Sequence, residues 1–417
     1  MNTSKLQRLL YLPTICAVLL TVLMLNACQT SGENDDKNVI RTESQFASNP
    51  QLTHDQNGNI ILWWIQKDAS SGENIVAFAR SEDNGRSFGE PREISQSLEA
   101  NGGNGEGPPR LIVKNDGTMI LVFNRPDPLP EHRFAGDVLY TQSFDNGKTW
   151  SETEPVHSDG IRTSGQGFPV LATLPNGEVA AVWLDGRNSK PWSEVYFAAT
   201  EGKKGFGKDR KIGGSACQCC KNALYVDDSD RLHVSYRSLV DGTRDIMYLI
   251  STDMGKTFSE PEKVSNDMWE IAACPHNGPD LASAGDKIQA VWYTNAEEKG
   301  MFYAESPLGE RSFKNKIKLT SNELAKHIKV AQLHKDMTIS VWDEKIQSTN
   351  SDGMNSRIAY KVIHNGSVVE GDYLTSSNTE ASNPSLLSMD DGNVLVVWTE
   401  KSDNEQFIRY KMISHEG

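Results

Sequence analysis

The sequence predicts an all-β chain, a β-propeller of four-stranded blades, because one strand pattern recurs along it. A small apolar residue occurs seven times, and an aromatic residue follows it by twelve positions, or by eleven in the fifth copy. Successive aromatics are 59, 60, 53, 56, 50 and 56 residues apart, about the length of a four-stranded blade with its loops. We therefore expect seven blades. The apolar residues are Leu52, Leu111, Leu171, Leu224, Leu281, Val330 and Leu386; the aromatics are Trp64, Phe123, Trp183, Tyr236, Trp292, Trp342 and Trp398.

The first two strands of most copies are joined by a tight turn. Asn57-Gly58, Asp116-Gly117, Asn176-Gly177 and Asp391-Gly392 are short-hairpin signals. The second strand then alternates apolar positions, and a third strand carries its own aligned aromatic. These aromatics predict packing of one blade on the next. They are Phe78, Tyr140, Phe197, Tyr248, Tyr303, Tyr360 and Tyr410.

A turn motif follows the third strand in the same phase. It reads SEDNGRSF from Ser81, SFDNGKTW from Ser143 and STDMGKTF from Ser251, with degenerate copies from Thr200 and Ser306. The serine and aspartate oxygens accept local backbone N–H groups, and the glycine takes a positive φ. This pattern resembles the Asp-box, or BNR repeat, of the sialidase-like β-propellers. Sialidases have six blades, so six is the alternative count here.

The two ends of the repeat region predict how the last blade is completed. The final copy stops after its third strand, near Ser414. Residues 38–42 (NVIRT) are the candidate to supply the missing strand, so that the N-terminal segment closes the last blade. We assign the propeller domain to residues 46–417.

The N-terminus predicts export and lipidation. Residues 1–27 hold Lys5 and Arg8, then an apolar run, and Leu25-Asn26-Ala27-Cys28 resembles a bacterial lipobox. The resemblance implies cleavage before Cys28, acylation of that residue, and a polar tether over residues 28–45. Gln29 resembles the outer-membrane sorting pattern of a Gram-negative-type bacterium. The membrane is thus a predicted partner through the anchor, while the leaflet that the domain faces stays open.

The charge of the chain excludes some partners. The full sequence carries a formal net charge of −14, and the mature form −16, because residues 1–27 contain two basic and no acidic residues. Nucleic acid is therefore not an expected partner. A glycan or a protein is compatible with this charge.

The resemblance to sialidases also implies an active site, which the sequence matches poorly. Family enzymes bind the sugar carboxylate with three arginines, and use a tyrosine nucleophile with its glutamate and an acid/base aspartate. Asn49 stands where the first arginine is expected, and Tyr360 and Tyr410 are better explained as core. The remaining candidates lie at mouth-like positions of the repeat. Ligand-binding candidates are Arg110, Arg187, Arg237, Arg244, Trp269 and Glu270; weak catalytic candidates are Arg187, Arg237, Arg244 and Asp245.

Four cysteines of the mature chain, besides Cys28, fall at one place in the repeat. Cys217, Cys219 and Cys220 precede the fourth copy, and Cys274 precedes the fifth, with His276 two residues on. Adjacent blades would bring these segments together at the channel mouth. Strand alternation predicts Cys217 and Cys219 on one side and Cys220 on the other.

Two interpretations of these cysteines stay open. An even number of cysteines outside the cytoplasm favours two disulfides. The alternative is a metal site for Cu(I) or Zn(II), with Cys217, Cys219, Cys220, Cys274 and His276 as ligands.

Two functions are therefore considered. The first is a lipid-anchored, sialidase-like propeller that binds a ligand, a protein or a metal ion at its Cys-rich mouth. The second is a glycoside hydrolase of exo-α-sialidase type with a non-standard site. The sequence decides the architecture much better than it decides between these two.

Overall fold

The structure, a computed structural model, describes residues 38–100, 105–128, 135–160, 165–188, 193–348, 353–402 and 404–414. Residues 40–417 form one compact unit, which contains every described residue except Asn38 and Val39. Residues 1–37, with the proposed signal and Cys28, lie outside the described ranges. Across those ranges no helix is long and apolar enough to cross a membrane.

The described residues fold into β-strands and two short 3-10 turns, Ser95–Ser97 and Gly202–Lys204. The strands are β1 (Val39–Ile40), β2 (Ala47–His54), β3 (Ile60–Lys67), β4 (Asn74–Ser81), β5 (Arg92–Ile94), β6 (Arg110–Val113), β7 (Met119–Pro126), β8 (Gly136–Ser143), β9 (Glu154–Pro155), β10 (Gln166–Thr173), β11 (Val179–Asp185), β12 (Ser193–Ala199), β13 (Arg210–Ala216), β14 (Ala223–Val226), β15 (Leu232–Arg237), β16 (Ile246–Ser251), β17 (Glu262–Lys263), β18 (Asp280–Ala284), β19 (Lys287–Asn295), β20 (Lys299–Pro307), β21 (Lys314–Thr320), β22 (Lys326–His334), β23 (Met337–Gln347), β24 (Met354–His364), β25 (Ser367–Tyr373), β26 (Glu380–Ser388), β27 (Val394–Ser402) and β28 (Glu405–Ile413).

These strands form five separate four-stranded sheets and one eight-stranded sheet. Unit 1 is β2–β5, unit 2 is β6–β9, unit 3 is β10–β13, unit 4 is β14–β17 and unit 5 is β18–β21, each an antiparallel meander. The eight-stranded sheet contains unit 6 (β22–β25) and unit 7 (β26–β28), joined by a single parallel bridge between Ser356 and Glu380. The short strand β1 lies beside β28. The prediction of an all-β fold of four-stranded sheets, of the β-propeller type, is confirmed.

The core lies between neighbouring units. Seven clusters of buried apolar side chains each combine residues from two units that are adjacent in this order, including units 7 and 1. In the cluster between units 7 and 1, Trp64 and Ile60 pack with Leu395 and Tyr410. The first strands follow the same order: β2, β6, β10, β14, β18, β22 and β26 contact one another in turn, and β26 contacts β2. Each unit is therefore stabilised mainly by its two neighbours.

The Asp-box turns also connect neighbouring units. In the first box Ser81 Oγ accepts the N–H of Gly85 at 2.8 Å, and Asp83 accepts the Ser87 hydroxyl at 2.6 Å and its N–H at 2.9 Å. The Ser87 hydrogen bonds lower the pKa of Asp83 to about 2. The final aromatic of each box then packs edge-on against the third-strand aromatic of the preceding unit. The pairs are Phe88 with Tyr410, Trp150 with Phe78, Phe206 with Tyr140, Phe258 with Phe197, and Phe313 with Tyr248.

The segment after Asn38 pairs with the last strand. Ile40 packs on the cluster between units 7 and 1, and Arg41 forms an ion pair with Glu405. The N–H of Gln406 donates to the Gln45 carbonyl at 3.0 Å, and Phe46 forms a parallel bridge with Gln406. Ile40 and Arg41, two residues of the candidate closing segment 38–42, therefore contact the last unit.

Candidate functional site

The loops that enter units 2, 4 and 5 meet at one buried carboxylate, Glu106. Its Oε2 atom accepts the N–H of Lys221 at 3.2 Å and the N–H of Gly278 at 3.0 Å. A Cβ atom on Gly278 would collide with the Lys221 carbonyl oxygen, so only glycine fits there. The segments that carry CQCC and CPH therefore lie side by side. The side chain of Lys221 extends to unit 6, where Nζ donates to the Ile328 carbonyl at 2.9 Å.

A second group of charges lies where the first strands begin. Arg110 donates to Gln51 Oε1 at 2.5 Å and to the Pro169 carbonyl at 3.3 Å. Lys329 Nζ lies 3.9 Å from Asp280 Oδ1. Burial lowers the pKa of Lys329 to about 7 and that of Arg110 to about 10, against the opposing effect of Asp280. Arg110, a predicted ligand-binding residue, is thus already bound to units 1 and 3.

Arg187 is enclosed by aspartates. Its guanidinium lies 2.6 Å from Asp185, 2.5 Å from Asp209 and 3.5 Å from Asp159, and stacks over the Tyr196 ring at 4.2 Å. Hydrogen bonds to Asp185 and Asp209 raise the pKa of Arg187 despite its burial. This arrangement resembles a structural ion-pair network more than a carboxylate-binding arginine.

Arg237 is buried to 2% exposure and hydrogen-bonds to backbone carbonyls of two units. It donates to Asn277 at 2.8 and 3.2 Å, to Tyr293 at 2.6 Å and to Arg244 at 2.8 Å. The ring of Trp269, itself buried, lies 4.9 Å from the guanidinium. Arg237 and Trp269, both predicted to bind a ligand, hold units 4 and 5 together instead.

The two acidic candidates, buried Asp245 and exposed Glu270, contact groups other than the cysteines. Asp245 accepts the N–H of Met268 at 2.8 Å and pairs with Lys263 at 2.7 Å. Glu270 is exposed and forms a backbone bridge with Thr243. Neither carboxylate contacts the cysteines described next.

Cys217, Cys219 and Cys220 form a compact cluster in the turn that joins units 3 and 4. Cys217 Sγ lies 3.5 Å from Cys219 Sγ and 3.4 Å from Cys220 Sγ, and all three sulfurs lie within 4.8 Å of one another. Their exposed fractions are 1%, 6% and 1%. The predicted strand alternation was wrong, because β13 ends at Ala216 and a turn follows, which directs all three side chains inward.

The turn is held by hydrogen bonds to unit 4 and by one hydrogen bond within the turn. The N–H of Cys217 donates to the Arg237 carbonyl at 2.8 Å, and the N–H of Cys220 donates to the Cys217 carbonyl at 3.4 Å. Arg244 Nη1 donates to Cys217 Sγ at 2.8 Å, while its Nε donates to the Ile271 carbonyl at 3.1 Å. Arg244, a predicted ligand-binding and catalytic candidate, is therefore hydrogen-bonded to the sulfur cluster.

This environment favours a thiolate at Cys217. The hydrogen bonds that Cys217 Sγ shares with the thiols of Cys219 and Cys220 lower the pKa of Cys217 strongly, and the Arg237 charge acts in the same direction. The same hydrogen bonds and burial raise the pKa values of Cys219 and Cys220. Cys217 is thus the cysteine of the three whose thiol ionises most readily.

The predicted fourth and fifth ligands lie elsewhere. Cys274 is exposed, and neither it nor His276 belongs to the sulfur cluster. The adjacent segments meet at Lys221 and Gly278 rather than at their cysteines. The four cysteines of the described chain are all free. The two expected disulfides are therefore not formed, since the shortest sulfur separation, 3.4 Å, far exceeds a bond of about 2.05 Å.

Four residues around Glu106 and Arg110 were not among the sequence-based candidates: Gln51, Lys221, Gly278 and Lys329. All four occupy positions one or three residues before the aligned apolar residue. This shared position in the repeat is the sequence signal that could have identified them.

Fold and site together define a BNR-type, sialidase-like β-propeller fold with a buried trithiol cluster. The model of the BNR repeat-like domain matches residues 27–396. The chain therefore belongs to the BNR repeat-like domain family. Comparison with curated protein sequences finds no match.

Solved structures support the same fold. An ulvan lyase of polysaccharide lyase family 25 aligns with a TM-score of 0.57 at 11% identity, covering 89% of this chain and 94% of that one. The intramolecular trans-sialidase of Ruminococcus gnavus, in complex with oseltamivir carboxylate, aligns with a TM-score of 0.51 at 12% identity. The alignment covers 92% of this chain and 98% of that one. A Dyadobacter fermentans DSM 18053 protein of unknown function aligns with a TM-score of 0.51 at 15% identity, covering 79% of this chain and 98% of that one. A lyase and a trans-sialidase share this fold, so the fold does not select a chemistry.

Proposed function

We propose that this chain is a lipid-anchored, seven-bladed β-propeller of the bacterial cell envelope that binds a soft metal ion through Cys217, Cys219 and Cys220. The observation that carries the proposal is the convergence of three buried sulfurs within 4.8 Å. Metal–sulfur bonds of about 2.3 Å place the sulfurs of a tetrahedral or trigonal site roughly 3.8–4.0 Å apart. The observed separations of 3.4 and 3.5 Å need only a small expansion to accept an ion.

Seven blades are supported by the seven inter-unit core clusters and by the contact between β26 and β2. Closure of the last blade by residues 38–42 is supported by the pairing of Arg41 and Gln45 with β28. The lipid anchor and the outer-membrane location depend on the lipobox-like sequence ending at Cys28. Incorporation of labelled palmitate into the wild-type chain, and its loss in Cys28→Ala, would test the anchor.

A glycoside hydrolase of exo-α-sialidase type is the second candidate, because the trans-sialidase of Ruminococcus gnavus has a similar fold. The arginines weigh against it. Arg187 is enclosed by aspartates, Arg237 by carbonyl groups, and Arg244 contacts Cys217. Asn49, in place of the first family arginine, is buried and binds Thr399 through its backbone N–H at 3.0 Å. Hydrolysis of a fluorogenic sialoside by wild type, lost on changing Arg110 to Met, would favour this candidate.

Metal binding is tested on reduced, metal-free protein in anaerobic buffer. Titration with Cu(I) and, separately, Zn(II) is followed by elemental analysis after desalting and by sulfur-to-metal charge transfer in the ultraviolet. We expect a single bound ion in wild type and its loss in Cys217→Ser and Cys220→Ser. Cys274→Ser is the matched control, because Cys274 is exposed and outside the cluster; it should bind as wild type does. Retention of no ion by wild type would refute the proposal.

A further inference from the structure

We propose that the sulfur cluster selects a monovalent, three-coordinate ion, Cu(I), over Zn(II), and that Arg244 and Arg237 set this preference through their charge. This inference rests on the proposed function, since it concerns the identity of the ion at the same site. Thiolate ligands suit both Cu(I) and Zn(II). The choice between them must come from the number of ligands and from the surrounding charge.

The number of ligands favours Cu(I). Within the described part of the chain, the cluster contains three cysteines and no histidine or carboxylate joins it. Structural zinc sites are almost always tetrahedral with four protein ligands. The nearest sequence candidates for a fourth ligand, Cys274 and His276, lie outside the cluster. The turn at 217–220 is also buried, which leaves little access for a water ligand.

The charge of the surroundings gives the second argument. Arg237 and Arg244 are both buried, and their side-chain partners are backbone carbonyls and Cys217 Sγ. Among the residues that the structure describes, no carboxylate forms an ion pair with either guanidinium, and a buried charge without a counter-charge is costly. Three thiolates around a monovalent ion carry two negative charges, which balance the two arginines. A divalent ion would leave the same buried group with one excess positive charge.

Arg244 also makes the direct contact. Its Nη1–H···Sγ hydrogen bond of 2.8 Å to Cys217 orients the sulfur and withdraws charge from it. Loss of this positive charge should make the binding free energy of a divalent ion more favourable, by about twice as much as that of a monovalent ion. The ratio of Cu(I) to Zn(II) affinity is therefore a sharper readout than either affinity, because deprotonation of the thiols contributes to both.

The experiment measures that ratio anaerobically, with bathocuproine disulfonate buffering Cu(I) and a chromophoric chelator buffering Zn(II). We expect Arg244→Met to lower the Cu(I)/Zn(II) affinity ratio by about tenfold or more, and Arg244→Lys to retain most of it. Arg231→Met, which removes a guanidinium paired with Asp227 away from the cluster, should leave the ratio unchanged. X-ray absorption of the copper form should fit three sulfur neighbours.

The outcomes separate the two proposals. If wild type binds neither ion, the proposed metal function itself fails. If it binds Zn(II) at least as selectively as Cu(I), or if Arg244→Met leaves the ratio unchanged, metal binding stands and the inference on ion charge is overturned. A copper site with fewer than three sulfur neighbours would overturn the predicted coordination.

Discussion

Replacing Arg237 with methionine should destabilise the protein more than any ordinary surface change. The guanidinium donates four hydrogen bonds to the carbonyls of Asn277, Tyr293 and Arg244, and thus links β15 of unit 4 to unit 5. Methionine fills similar volume but leaves those buried carbonyls without this donor. Breaking such a buried charged network costs about 3–5 kcal/mol of the free energy of unfolding.

This loss can be converted into a melting temperature. Unfolding entropy of about 2.1 cal/mol/K per residue, over a unit of about 380 residues, is roughly 0.8 kcal/mol/K. A loss of 3–5 kcal/mol therefore lowers Tm by about 4–6 °C. Differential scanning calorimetry of reduced, metal-free protein is the appropriate assay, because a bound ion would stabilise the native state by mass action.

Two controls make the Arg237 prediction specific. Arg237→Lys keeps the charge but loses the planar set of donors, so its Tm should fall between those of wild type and Arg237→Met. Lys299→Met removes an exposed ion pair with Glu323 and should change Tm by less than about 1 °C. If Arg237→Met also melts within 1 °C of wild type, the four carbonyl contacts do not stabilise the interface between units 4 and 5.

Three further predictions concern other buried or capped charges. Glu106→Gln should lower the free energy of unfolding in urea by about 1–2 kcal/mol, because a neutral amide accepts the N–H groups of Lys221 and Gly278 less strongly; an unchanged midpoint would contradict this. The Thr257 hydroxyl lowers the pKa of Asp253 to about 2, so its stabilisation is present above pH 4 and disappears toward pH 2. Asp253→Asn should therefore show a flatter acid dependence of stability than wild type. Lys329, with a pKa of about 7, binds its proton more weakly when folded, so stability relative to Lys329→Met should rise between pH 7 and pH 9; an equal difference at both pH values would refute this.

The fold could be predicted because its determinants are local and repeated. The Asp-box binds its own serine, aspartate and glycine within a few residues, and the hairpin glycines take positive φ within their own turns. The spacing of twelve between Leu52 and Trp64 then repeats in every unit except the fifth, where it is eleven. A pattern that depends on neighbours in sequence is visible in a single sequence.

The site could be predicted only in part, because its contacts span distant segments. Glu106 binds backbone groups 115 and 172 residues further along the chain. Its sequence context indicates only a loop carboxylate. The arginine candidates were chosen by their positions in the repeat, but the partners that bind Arg187 and Arg237 come from other loops and strands. Side-chain identity therefore located the charges without revealing that protein groups already bind them.

The conformation of the cysteine turn also depends on a contact that the local sequence does not reveal. Cys217–Cys220 would alternate if β13 continued, but the Cys217 N–H instead donates to the Arg237 carbonyl of the next unit. This tertiary hydrogen bond turns the chain and brings Cys220 to the same side as Cys217 and Cys219. Local alternation was overridden by a contact with β15, which no periodic pattern encodes.

The sulfur cluster and the interface between units 4 and 5 depend on the same groups. Arg237 and Arg244 donate hydrogen bonds to carbonyls of unit 5 or of the loop that enters it. These carbonyls belong to Asn277, Tyr293 and Ile271. Both then act on the cysteine turn, Arg237 through its carbonyl and Arg244 through its guanidinium. If three thiolates hold a monovalent ion as proposed, their two net negative charges reduce the cost of burying these arginines and strengthen the contact between the units. The interface in turn holds the three sulfurs within 4.8 Å of one another. The rigid repeat thus provides the preorganisation that a short turn of three cysteines lacks by itself.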